Sequence, residues 1–209
     1  MRRLAIILAM GVLLNLFGCT GQAKKTADPT NEEPLKSVDD VQNGLVHKTL
    51  TPEILSKVKD DKLEQVILYN IAARIADDGD ELGIVKSLTP GQRAIYVTMI
   101  VEGEVDNGGF NQFYYNPSGQ FAGMMEDAFK IIEAHQYADL ARQANTIYAG
   151  IKEDLEKYRN GTTESFSESY DNNPLNDLDD KFYSLDEDGT LSKLRVKYIR
   201  SNIKEFVTD

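Results

Sequence analysis

The residues of this chain that could do chemistry are few and scattered. Its two histidines, His47 and His135, stand far apart and neither has a partner at metal-ligand spacing, so no zinc site is expected. The single cysteine, Cys19, precedes the folded part, which excludes thiol catalysis there. No glycine-rich loop followed by a lysine is present to cradle a phosphate. Ser184 to Leu191 has some of the spacing of a calcium loop, with Asp186, Asp188 and Gly189 at its third, fifth and sixth positions. Arg195 then stands where the bidentate glutamate belongs, and a cation in that slot argues against calcium. Asn160-Gly161-Thr162 fits a glycosylation sequon, which we read as a chance match. The expectation is a protein without metal, cofactor or catalytic constellation.

Carboxylates are the recurrent feature. They cluster at Asp77 to Glu81, Glu102 to Asp106, Asp177 to Asp180 and Asp186 to Asp188. Such runs are read either as a solvated face or as a recognition surface for a basic partner. One block differs from the rest: Asp106-Asn107-Gly108-Gly109-Phe110-Asn111-Gln112-Phe113-Tyr114-Tyr115-Asn116. Two adjacent glycines weaken a helix, yet Phe110, Phe113 and Tyr114 follow at helical spacing. Asn107 is a candidate helix cap, with Gly108 and Gly109 letting the helix start sit against a neighbour. In the alternative reading the free amides of that start attract an anion or carboxylate, with the aromatics as walls of a pocket.

The elements that must position this block are helical. Thr51-Pro52 and Thr89-Pro90-Gly91-Gln92 read as helix starts, the second with Gln92 at the reciprocal capping position. Leu63, Val66, Ile67, Ile71 and Ile75 repeat at helical spacing. The stretch from Ala94 to Val105 is apolar over much of its girth, as a helix buried on several sides would be. A short helix is expected from Asn107 to Asn116, then one from about Gln120 to Ala134 with Ser118 as cap. Tyr137, Ala141, Ala144, Tyr148, Ile151, Leu155 and Tyr158 alternate in steps of four and three, which predicts a long amphipathic helix. Asn160 to Asn173 reads as a polar loop; Pro174 then opens a short helix carrying Leu175, Leu178, Phe182 and Leu185, and a last helix carries Leu191 to Phe206. No strand alternation is found. The fold class expected is all-α, an irregular bundle of about six to eight helices without significant sheet.

The 209 residues carry a formal charge of −11. That balance repels phosphate backbones and suits a basic protein partner, so direct nucleic-acid binding is not expected. At the other end of the argument stands the N-terminus. Arg2 and Arg3 precede an apolar run from Leu4 to Phe17, a leader too short to span a membrane. Leu16-Phe17-Gly18-Cys19 resembles a bacterial lipobox, which implies cleavage before Cys19 and lipidation of its thiol. Three regions follow: residues 1–18 as a lipoprotein signal peptide, 19–46 as the lipidated cysteine with a flexible linker, and 47–209 as the acidic helical domain.

The Asp106 to Asn116 block, with Ser118-Gly119 after it, resembles the signature of the bacterial DNA-mimic protein (DMP-like) C-terminal domain family. Leu175-x-x-Leu178-Asp179 and Lys197-Tyr198-Ile199-Arg200-Ser201-Asn202 are similar to its closing segments. The resemblance implies an acidic, all-α protein without known catalysis. It also implies DNA mimicry, in which carboxylates imitate duplex phosphates and occupy a transcription factor's DNA site. The leader points instead to the cell envelope, reached through lipidated Cys19. The leading expectation is therefore a lipid-anchored, non-catalytic module that binds another macromolecule, an unknown protein of basic character. DNA mimicry, or a small-ligand site at the Asn-Gly-Gly-Phe motif, is the alternative.

Overall fold

The computed structural model describes residues 47, 49–186 and 188–208. The leader, Cys19 and the linker through residue 46 lie outside the described residues. Nine α-helices and two 3₁₀ segments are found among the described residues, and no strand. They are α1 (Pro52–Lys57), α2 (Asp60–Asp78), α3 (Glu81–Ser87), α4 (Pro90–Tyr115), α5 (Met125–Ile131), α6 (His135–Glu156), α7 (Thr163–Glu168), α8 (Asn176–Asp186) and α9 (Thr190–Ser201). One 3₁₀ segment, Pro117–Met124, joins α4 to α5, and the other, Ile203–Phe206, follows α9. The all-α architecture matches the expectation, and short pieces such as α1 and α7 raise the number of helices.

Helix α4 is the axis of the bundle. It packs against α2, α3, α5, α8, α9 and both 3₁₀ segments. Its Ala94, Ile95, Val97, Val101, Val105, Phe110 and Phe113 have no solvent exposure, which explains why its apolar residues run round the whole girth. Its start follows the sequence signals. Thr89 accepts from the Gln92 amide at 3.2 Å, while the Gln92 side chain accepts from the Thr89 amide at 3.4 Å. Glu205 from the last 3₁₀ segment adds a carboxylate, which accepts from the Gly91 amide at 2.6 Å and from the Tyr198 hydroxyl at 2.8 Å. A negative group there meets the positive end of the helix dipole. The far end of α4 is closed by a cation: Arg159 donates to the Tyr114 carbonyl at 2.6 Å and lies over the Tyr115 ring.

A cation is enclosed among the helices. Arg195 on α9 is 2% exposed and bridges Glu64 of α2 and Glu102 of α4. Ser192 donates to the second Glu64 oxygen at 2.7 Å. The same arginine that contradicts a calcium loop thus ties three helices together. Asp186, placed in that loop reading as a ligand, instead accepts from the Leu191 amide at 2.8 Å and from the Tyr137 hydroxyl at 3.2 Å.

Breaking a buried ion pair from one side leaves charge without compensation. Arg195→Met is therefore expected to lower unfolding free energy by about 3–5 kcal/mol, measured by urea denaturation at neutral pH.

Candidate functional site

The Asn-Gly-Gly block is the junction of two helical segments that together make up α4, so the expected short helix is its second segment. Helix α4 bends at the block, with non-helical backbone at Gly108 (φ −171°, ψ 30°) and Gly109 (φ 72°, ψ 179°). The Gly108 angle is ordinary extended backbone. The Gly109 pair is one that residues with a Cβ rarely reach. A break of this kind releases the backbone groups that a continuous helix would pair four residues apart, so each needs another partner.

Those partners come from one segment, Ser165 to Tyr183. The Phe110 amide donates to Asp179 Oδ1 at 2.8 Å. The Gly108 carbonyl accepts from the Tyr170 hydroxyl at 2.8 Å, and the Val105 carbonyl accepts from the Tyr183 hydroxyl at 2.7 Å. Asn111 donates to Ser169 Oγ at 2.7 Å and accepts from Asn173 at 3.0 Å, while Asn173 accepts from the Leu175 amide at 3.0 Å. A Cβ at Gly109 would stand 2.1 Å from Asp179 Oδ2. The glycine thus makes room for the carboxylate as well as for the bend.

A second carboxylate is enclosed on the chain's own amides. Glu104 is 7% exposed. Its oxygens accept from Gln112 at 2.9 Å, Asn116 at 2.8 Å and Ser118 at 2.5 Å. These donors are neutral, so hydrogen bonding rather than ion pairing satisfies this buried acid. Ser118 does this instead of capping a following helix, and Pro117–Met124 runs as a 3₁₀ segment.

Each residue of the block now has a position. Asp106 and Asn107 are exposed, Gly108 is half-buried, and Gly109, Phe110, Asn111, Gln112, Phe113 and Tyr114 are buried. Asn116 is half-buried against Glu104. Phe110 meets Phe182 edge-on, and Tyr114 stacks on Tyr148 at 4.0 Å and donates to Asn145 at 2.8 Å. Asp179 occupies the place at the helix start that an outside anion would take. A groove of about 480 Å³ between α6 and α8 is lined by Gln136, Leu140, Asp180 and Leu185, without the block.

The acidic clusters divide in the same way. Both readings, a solvated face and a recognition surface, place these acids outside, and Glu102, Glu104 and Asp179 depart from that by facing inward. Sequence reasoning missed these three and Arg195. The signal available was placement: Asp179 directly follows the buried Leu178, and Glu104 lies within the apolar length of α4. Among the described residues, no group of three or more His, Cys, Asp or Glu is placed to hold a metal, and no helix is long and apolar enough to cross a membrane.

The DMP19-like protein family model matches residues 86–202, more than half of the chain. The chain belongs to the DMP19-like family. The matched span contains the bend in α4 together with Asp179, Tyr170, Tyr183 and Arg195, so the DMP19-like region holds both the strained backbone and what secures it. Comparison with curated proteins and with solved structures gives no match.

Burial raises the Asp179 carboxyl to about 6 against the opposing Phe110 amide, with Asp180 adding to the rise. Burial likewise raises Glu102 to about 7; Arg195 opposes this, and Asp186 and Glu64 reinforce it. Both groups hold protons more tightly folded than unfolded. Their stabilising contribution is full below the ordinary carboxylate range and is lost as pH rises through about 6 and about 7. Urea midpoints are expected to fall from mildly acid to mildly alkaline pH, with Glu102→Gln and Asp179→Asn each flattening the slope. Separately, Gly109→Ala is expected to lose about 1–3 kcal/mol from backbone strain alone. Asp179→Ala should lose a similar amount by orphaning the Phe110 amide, and the double variant less than the sum, since removing the carboxylate relieves the clash.

Proposed function

We propose that this protein is a lipid-anchored, non-catalytic interaction module that presents a fixed acidic face to a basic macromolecular partner in the bacterial cell envelope. The observation that carries the proposal is the double role of the segment from Thr163 to Asp188. Its inward side chains secure the bend in α4. Its outward ones, Glu164, Glu168, Asp171, Asp177, Asp180 and Asp188, are exposed acids, and Lys181 is the only basic residue in the stretch. The buried Asn111, Gln112, Phe110, Phe113 and Tyr114 of the motif are taken up by internal contacts, and the segment that meets them leaves carboxylates on the outside. Fixed carboxylates favour a cationic partner by steering and by discrimination against anions. The lipobox-like Leu16 to Cys19 supports the anchor.

Membership of the DMP19-like family supports a second reading. In it, the same carboxylates stand in for duplex phosphates and occupy the DNA site of a DNA-binding protein. The two readings place the protein in different compartments.

Labelled fatty acid uptake that disappears in Cys19→Ala, with the protein in the membrane fraction, favours the first reading. An unlabelled protein in the cell interior favours DNA mimicry. In either case, capture of the partner should weaken as salt rises from about 0.1 to about 0.5 M. Asp177→Asn with Asp180→Asn should weaken it on the order of tenfold, from about 0.2–1 kcal/mol per charge. Binding unaffected by salt and by both substitutions would remove the acidic face from the account.

A further inference from the structure

Three Asn-Gly pairs occur in the chain: Asn43-Gly44, outside the described residues, Asn107-Gly108 and Asn160-Gly161. In such a pair the glycine amide nitrogen can reach the asparagine side-chain carbonyl, because no Cβ stands in the way. The two described pairs are both at exposed asparagines, but their surroundings differ. Asn107 lies inside α4, and the peptides that follow it are held by Tyr170 on the Gly108 carbonyl and by Asp179 on the Phe110 amide. Asn160 lies in the turn between α6 and α7. Gly161 there has φ +84° and nothing within 4 Å of the position its Cβ would take.

The Asn160 side chain is also activated. Its Oδ1 accepts from the Thr162 amide at 3.0 Å and from the Thr162 hydroxyl at 2.8 Å. Two donors on a carbonyl oxygen draw electron density from Cγ and stabilise the oxyanion that forms when a nucleophile adds there. We propose that Asn160 is a self-modifying site, at which the folded turn promotes deamidation of Asn160 while the bend of α4 suppresses it at Asn107.

The step balances with water alone. The Gly161 amide nitrogen gives its proton to solvent and forms a bond to Asn160 Cγ. The pair displaced onto Oδ1 re-forms the carbonyl as the Cγ–Nδ2 bond breaks. Nδ2 takes up a proton from water and leaves as ammonia, giving a cyclic succinimide. Water then opens the ring at either carbonyl, giving aspartate or isoaspartate at position 160. One negative charge is added four residues before Glu164, at the edge of the acidic stretch. The reaction does not depend on the anchor or on the partner proposed above.

The test incubates the intact folded protein near neutral pH and follows all three Asn-Gly pairs by peptide mass mapping, with isoaspartate confirmed by enzymatic methylation. The same chain unfolded in urea is the reference, since the Asn107 and Asn160 pairs are then free of structure. In the folded protein Asn160 is expected to convert at least about tenfold faster than Asn107, a barrier difference of about 1.4 kcal/mol, and faster than it does unfolded. Thr162→Val, which removes one donor, should slow Asn160 several-fold in the folded chain and leave the unfolded rate nearly unchanged. Equal folded rates at Asn107 and Asn160, or a folded Asn160 slower than the unfolded one, would overturn the proposal.

Discussion

A carboxylate on a helix amide, with a glycine making room for it, is the interaction on which this structure depends. It occurs twice on α4. Glu205 reaches the Gly91 amide at the start of the helix, and Asp179 reaches the Phe110 amide just after the bend. At both places a Cβ on the adjoining glycine would meet the carboxylate at under 3 Å. Both acids come from the C-terminal part of the chain. The central helix is therefore completed by residues that lie far away in sequence, in addition to the local capping box of Thr89 and Gln92.

This constraint also organises the charge. A chain with a formal charge of −11 must put its carboxylates somewhere. A few are turned inward, where the price is met by amide donors at Glu104, by backbone at Asp179 and by Arg195 at Glu64 and Glu102. The remainder of the acidic stretch is left outside on a segment that Tyr170, Asp179 and Tyr183 fasten to α4. The outer acids and the inner contacts thus belong to one segment.

The helices were legible because their signals are local. Thr89-Pro90 with Gln92 produces the capping box, and the four-and-three spacing from Tyr137 gives α6. The bend was legible only as a question. Gly108-Gly109 announces unusual backbone, but the residues that answer it lie some sixty to eighty positions later, and nothing local in Asp179, Tyr170 or Tyr183 marks them as partners. Asn107 shows the limit of local reasoning. It has the type and place of a cap, yet it stands exposed on α4 while the carboxylate of Asp179 takes the amide. Glu104 and Arg195 were hidden for the same reason, since charged residues are rarely buried unless paired and the pairing is a property of the tertiary fold. The polar stretch from Asn160 to Asn173 was read as loop, and it contains α7, whose start is capped by Thr162.

The central claim is that Asp179 holds the bend, and residue-resolved amide hydrogen exchange tests it most directly. In the native protein the Phe110 amide should be protected nearly as well as Val97 and Val101 in the unbroken part of α4. In Asp179→Ala, protection should fall at Phe110 and its neighbours by more than it falls at Val97 and Val101. A Phe110 amide that exchanges freely in the native protein, or one whose protection drops no further than the rest of the helix when Asp179 is removed, would contradict the account.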